Sequence, residues 1–96
     1  MKVRLHMYPR ITIFTPTYNR AYILPRLFES LQRQTDLQFN WLIIDDGSTD
    51  NTKDVVANFK KSAQFEIEYY YKDNGGKHKA INKMLDTVTA ELVVIV

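Results

Sequence analysis

The chain contains no cysteine, which excludes disulfide staples and thiolate metal sites and fits a reducing compartment. It also lacks an excess of either charge: thirteen Lys and Arg against eleven Asp and Glu leave a formal net charge of +2. That is too little to argue for nucleic acid or an anionic membrane as partner. No apolar run approaches the ~20 residues needed to span a bilayer. Met1 to Arg10 lacks the apolar core of a signal peptide, since Arg4, His6 and Arg10 interrupt it. No linker, low-complexity tract or internal repeat stands out. A soluble, cytoplasmic protein is the expectation. With 96 residues and an apolar content of 45%, the chain makes one small domain or part of a larger one.

What is present centres on Leu42-Ile43-Ile44-Asp45-Asp46-Gly47-Ser48-Thr49-Asp50. An apolar run that ends in paired carboxylates, a glycine and small hydroxyl residues reads as a buried strand followed by a tight polar turn. Ser48, Thr49 or Asp50 can each accept from the open N–H groups of a helix starting near Thr52. Two carboxylates then stand at the C-terminal mouth of a strand, where ligands bind in an open α/β sheet. For a lone Asp pair, a junction that only caps and solvates is the simpler reading; the neighbouring segments change that balance.

Ile11–Phe14 reads as a first strand that stops at the turn-rich Thr15 to Arg20, where Pro16 removes a backbone donor. Leu24, Leu27, Phe28 and Leu31 recur at helical spacing, predicting a helix over about Tyr22 to Gln34 with Pro25 tolerable only near its first turn. Trp41 to Ile44 is the second strand; Val55, Val56 and Phe59 mark a helix from about Thr52 to Lys61. Phe65 to Tyr71 alternates apolar with acidic at its start, a third strand with one wetter face. Lys72 to Lys77 is a turn by composition, and Lys72 and Lys83 read as solvated surface. Ala80, Ile81, Met84, Leu85 and Val88 predict a helix over about His78 to Thr87, and Leu92 to Val96 suits a strand buried on both faces. The order β-α-β-α-β-α-β predicts half of an open, doubly wound parallel sheet.

Such winding brings the loops after strands one to three to one edge. The first carries Pro16, Thr17, Tyr18 and Asn19; the second Asp45 and Asp46; the third Asn74, Gly75 and Gly76, then Lys77, His78, Lys79 and Lys83. An aromatic ring, a carboxylate acceptor and a helix N-terminus reinforced by lysines suit a nucleoside diphosphate. The base can pack on Tyr18, Asp46 can accept from a base N–H or a ribose hydroxyl, and Lys77 or Lys79 can meet a phosphate. Taken singly, Tyr18 can equally be simple packing, Asp45 is more often an acceptor of turn N–H groups, and Gly75-Gly76 is merely a turn. His78 without a second histidine in its loop is a weak metal candidate. Their convergence on one edge favours a ligand site.

Ile11-Thr12-Ile13-Phe14-Thr15-Pro16-Thr17-Tyr18-Asn19 resembles the opening strand and loop of the family 2 inverting glycosyltransferases, whose fold is called GT-A. Ser30-Leu31-Gln32-Arg33-Gln34-Thr35, Ile44 to Asp50, and Asn74 to Asn82 match three further motifs of that family in order, so the resemblance runs from about Arg10 to Val96. It implies a GT-A, Rossmann-like half with strand order 3-2-1-4 and helices on both faces. It implies transfer of a sugar from a nucleotide-diphosphate donor, UDP-linked for preference, to an acceptor hydroxyl with inversion, as in polysaccharide biosynthesis. By the same resemblance Pro16 to Asn19 wrap the base and ribose, Asp46 contacts the base, and Asp45 supports the turn. Lys79 and Asn82 face the diphosphate or sugar, with Gly76 and Lys77 beside them.

The departure lies at the end. In the family the fourth strand runs into an Asp-x-Asp motif that holds a divalent cation, Mn or Mg, on the donor diphosphate, and a later carboxylate serves as general base. The chain reaches neither, and Asp45 and Asp46 lie on a different strand. Residues 1–96 are therefore expected to be the N-terminal nucleotide-binding part of a longer enzyme, inactive alone and without metal ligands or catalytic residues of its own. A glycan or glycolipid acceptor and any association with the cytoplasmic membrane face would belong to the remainder. Self-association through an apolar edge at Val93 and Ile95 is a further expectation. A receiver-like signalling domain also pairs acids at strand ends, but after its first strand, where this chain has Thr-Pro-Thr-Tyr. A sugar nucleotidyltransferase wants a glycine- and arginine-rich loop there, and a structural fragment that binds nothing is the remaining alternative.

Overall fold

The computed structural model describes residues 11–35, 38–73, 77–88 and 92–96, with side chains described for all of these but 77–80. Seven elements follow one another: β1 (Ile11–Thr17), α1 (Leu24–Gln32), β2 (Phe39–Asp45), α2 (Thr52–Ser62), β3 (Glu66–Tyr71), α3 (Lys77–Thr87) and β4 (Leu92–Ile95). The strands form one parallel sheet in the order β3-β2-β1-β4. β2 is buried along its whole length, as a strand paired on both edges and covered on both faces must be.

Strand alternation divides the apolar residues between two layers. Ile11, Ile13, Trp41, Ile43, Ile67 and Tyr69 face α1 and α2, whose Leu24, Leu31, Val56 and Phe59 complete a core. Phe28, Phe59 and Trp41 stack within it, the Phe28 and Phe59 rings 4.3 Å apart and nearly parallel. The one polar atom Trp41 brings into that core donates from Nε1 to Thr15 Oγ1 at 2.9 Å, so burial leaves no orphaned donor there. Phe14, Leu42, Ile44 and Val93 face the other way, toward Met84, Ile81 and Val88 of the α3 segment. Toward the start of the strands the same face carries a polar ladder. Thr12 Oγ1 donates to Asn40 Oδ1 at 2.6 Å, and Asn40 Nδ2 donates to Glu68 Oε2 at 3.1 Å.

Three features of the sequence reading change. β1 runs on through Thr15, Pro16 and Thr17 instead of stopping at Phe14, pairing Pro16 with Ile44 and Thr17 with Asp45. The bonds Asp46 N–H to Thr17 O and Val96 N–H to Phe14 O show why proline is tolerated. Odd residues of β1 turn their backbone toward β2 and even ones toward β4, so Pro16 leaves the β1–β2 ladder intact and removes a donor only on the β4 side. α1 starts at Leu24, later than expected, because Pro25 belongs in the first turn; a preceding turn carries Ile23 N–H to Arg20 O at 3.0 Å. β4 is not buried on both faces: it is the sheet's edge among the described residues, with Leu92, Val94 and Ile95 exposed.

Candidate functional site

The strand order places the topological switch point between β1 and β4, since the chain winds outward from β1 through β2 to β3 and then crosses back. Ligands of open α/β sheets bind there, at the C-terminal ends of the strands. The loop after β1 opens at this point, and the loop after β2 is hydrogen-bonded directly against it through Asp46 N–H to Thr17 O at 2.8 Å.

Asn19 joins the two loops. Its backbone has φ of 51°, in the left-handed region that asparagine tolerates better than most residues. Its N–H donates to Ser48 Oγ at 2.8 Å, and its Oδ1 accepts from Thr49 N–H at 2.7 Å and Asp50 N–H at 3.3 Å. Asp50 returns the connection by accepting from Ala21 N–H at 3.1 Å. Its other oxygen accepts from Thr52 N–H at 3.1 Å and from the Thr52 hydroxyl, which ties the turn to the first residue of α2. The Thr52 hydroxyl is the chief influence holding the Asp50 carboxyl below its ordinary value of 3.8; burial opposes it, and the N–H groups of Ala21 and Thr52 assist. Gly47 turns the chain with φ of 86°, where a side chain would clash.

The two acids of the turn have different surroundings. Asp45 is buried: Oδ1 accepts from Ser48 N–H at 2.8 Å and Oδ2 from the Tyr69 hydroxyl at 2.5 Å. Burial, reinforced by that carboxylate, pushes the Tyr69 phenol well above its usual range, so it stays a donor at neutral pH. Asp46 points along the mouth and accepts at Oδ1 from Lys72 Nζ at 2.6 Å, both side chains being mostly buried. Neither acid is arranged as a cation site. The Asp45 oxygens hold a phenol and a backbone N–H, Asp46 faces an ammonium, and no cluster of three potential ligands occurs among the described residues.

Of the residues singled out from sequence, Pro16, Thr17, Tyr18, Asn19, Asp45 and Asp46 come together at this mouth. Tyr18 is 45% exposed. Thr17 is buried, and its hydroxyl finds no hydrogen-bond partner among the described residues. Asn82 is exposed on α3 and makes no hydrogen bond to the mouth among the described residues. Gly76 lies outside the described residues, as do the side chains of Lys77 and Lys79. Lys72 corrects the sequence reading: it is no solvated surface residue but the partner of Asp46, and its backbone N–H also bonds to Asp45 O at 2.9 Å. The available signal was its position directly after β3, beside the strand that delivers both acids. A pocket of about 390 Å³ opens on the α1 side, between Thr15–Thr17, Leu24, Leu27 and Val96. It includes neither Tyr18 nor Asp46, so the ligand reading stands on the two braced loops.

Comparison with known proteins gives a consistent answer. The model of the family described as Glycosyl transferase family 2 matches residues 12–96. A validoxylamine A glucosyltransferase of Streptomyces hygroscopicus subsp. jinggangensis is 39% identical over 70 residues, 71% of this chain and 16% of that protein. The GalNAc(5)-diNAcBac-PP-undecaprenol beta-1,3-glucosyltransferase of Campylobacter jejuni is 32% identical over 87 residues, 88% of this chain and 28% of that protein. Among solved structures, a mannosyltransferase of Pyrobaculum calidifontis in complex with GDP-Man and Mn2+ superimposes with a TM-score of 0.77 at 26% identity, over 90% of this chain and 26% of that one. The chain spans about a quarter of the length of the curated relatives it matches.

Proposed function

The chain belongs to glycosyl transferase family 2, and on that premise we propose that it is the N-terminal, nucleotide-binding part of an enzyme that transfers a sugar from a nucleotide-diphosphate donor to an acceptor hydroxyl with inversion. The observation that carries this reading is the pair of loops braced at the switch point, with Asp46 N–H bonded to Thr17 O and Asn19 holding Ser48, Thr49 and Asp50. In this reading the exposed Tyr18 packs on the base, the backbone of Pro16 to Asn19 wraps base and ribose, and Asp46 accepts from a base N–H. Asp45 supports the turn from below. Lys79 meets the diphosphate, helped by the start of α3, with Gly76, Lys77 and Asn82 alongside.

UDP is the nucleotide we propose; the GDP-Man held by the Pyrobaculum mannosyltransferase makes guanine the alternative to test. A divalent cation and the general base would come from carboxylates of the longer protein, since Asp45 and Asp46 do not suit a metal. A glycan or glycolipid acceptor would also meet that remainder, on the cytoplasmic side.

An amide NMR titration with UDP and GDP, with ADP as control and with and without magnesium, tests the reading. The expected result is shifts clustered at Thr17 to Asn19 and Asp46 with UDP and little dependence on magnesium. Shifts with GDP alone would exchange the base, and no response to either nucleotide would overturn the nucleoside pocket. In the intact protein Asp46→Ala is expected to abolish donor binding with the fold retained; unchanged affinity would remove Asp46 from the site.

A further inference from the structure

We infer that Lys72 is a positioning residue for the nucleoside, acting through Asp46. The inference rests on the nucleotide-binding reading of the same mouth and adds to it a residue that the reading does not use. Lys72 follows β3 directly, and two bonds fix it to the end of β2: its N–H to Asp45 O at 2.9 Å and its Nζ to Asp46 Oδ1 at 2.6 Å. Nζ also donates to Asp73 O at 3.2 Å, so the ammonium is held from both sides.

The pair is not an ordinary surface contact. The two side chains are only 20% and 14% exposed, so neither charge is easily released to water, and a short charge-assisted bond fixes the carboxylate's rotation. The backbone N–H of Asp46 is already committed to Thr17 O, so main chain and side chain are pinned by different neighbours, β1 on one side and Lys72 on the other. A carboxylate that must meet a base N–H within a few tenths of an ångström profits from such locking, because the ordering is done before the ligand arrives. Lys72 also ties the loop after β2 to the loop after β3. Asn19 ties the loop after β1 to the loop after β2. The three loops at the mouth are thus linked in series, the first two through Asn19, Ser48 and Asp50 and the last two through Lys72.

A double-mutant cycle in the intact protein tests this, with Lys72→Met, Asp46→Asn, the double variant and Lys72→Arg titrated with UDP, uridine and inorganic pyrophosphate. Lys72→Met is expected to weaken UDP and uridine binding by about tenfold and to leave pyrophosphate binding unchanged. Asp46→Asn keeps an acceptor oxygen for the base N–H, so unlike Asp46→Ala it is expected to weaken UDP binding without abolishing it. In that background the Lys72 change is expected to cost nothing further, because its effect runs through the carboxylate. Lys72→Arg, which keeps the charge and can reach the same oxygen, is expected to restore uridine binding. Losses that add independently of Asp46, or that fall on pyrophosphate, would overturn the inference and make Lys72 a phosphate contact. If Lys72→Met fails to fold because it strands a buried carboxylate, the charge-neutral double variant against Asp46→Asn alone decides the same question. Wild-type protein that binds no nucleotide would bring down the underlying reading as well, an outcome distinct from an additive cycle.

Discussion

The two faces of the sheet are built from the same strands but to different standards. The face toward α1 and α2 closes over Trp41, Phe28, Phe59 and Phe65 in a chain of ring contacts, with Thr15 satisfying the single buried indole N–H. The face toward α3 has a smaller described core, Phe14, Leu42, Ile44 and Met84, which gives way to the Thr12–Asn40–Glu68 ladder below and to the exposed β4 at one side. The difference bears on the site because each loop at the mouth runs into a helix. The loops after β1 and β2 lead into α1 and α2 and rest on the aromatic core; the loop after β3 leads into α3 on the lighter face. The half of the mouth assigned to the base is therefore backed by the larger of the two described cores.

The largest expected effect is in the core. Trp41→Ala should cost about 3–5 kcal/mol, read from urea unfolding, whereas Met84→Ala on the other face should cost about 2 kcal/mol. Equal losses would erase the contrast between the faces. Hydrogen exchange sharpens it without mutation: amides of β2 should exchange only by global unfolding, and those of α3 through smaller openings.

The loop brace comes next. Asn19→Ala removes the bonds that Oδ1 accepts from Thr49 N–H, the Thr49 hydroxyl and Asp50 N–H and puts alanine at a left-handed φ, an expected loss of about 1–2 kcal/mol accompanied by weaker UDP binding. Asn19→Gly keeps the backbone geometry and removes only the bonds, so it should lose less stability while binding suffers equally. If the glycine variant binds like wild type, the side-chain brace is irrelevant to the site.

Acid behaviour is a smaller effect with a defined sign. Asp50 has a lowered folded-state pKa, so its contribution is present above its ordinary value of 3.8 and is lost as pH falls through the folded value. Asp50→Ala should flatten that part of the acid-unfolding curve and leave the rest unchanged. The smallest effect is at Glu68. Burial, and then its neighbour Glu66, raise its pKa, so the folded state favours the protonated form and stability declines as pH rises through the raised value. Glu68→Gln should remove that decline and be neutral or stabilising by less than about 0.5 kcal/mol at pH 7. A clear destabilisation would mean that the ionised ladder contributes more than burial costs it.

Local pattern was enough for the alternation of strands and helices, because apolar spacing of two or of three and four follows directly from backbone geometry. It was enough for Asp45, Asp46 and Asp50 at a strand end, because paired acids, glycine and hydroxyl residues have few other uses in such a turn. It misread Thr15 to Thr17 as loop, since a proline looks like a strand breaker until the neighbour its missing N–H would face is known. It placed β4 but not what lies beside it, since an apolar run does not state how many neighbours cover it; among the described residues the strand is the sheet's edge.

The sequence by itself determined the parallel β-α order, the family resemblance and the positions of the acids. Only the tertiary structure decided what the polar side chains do. Asn19 to Thr49, Asp45 to Tyr69 and Asp46 to Lys72 join residues 24 to 30 apart, and such partnerships exist only once parallel pairing has set β1, β2 and β3 in register.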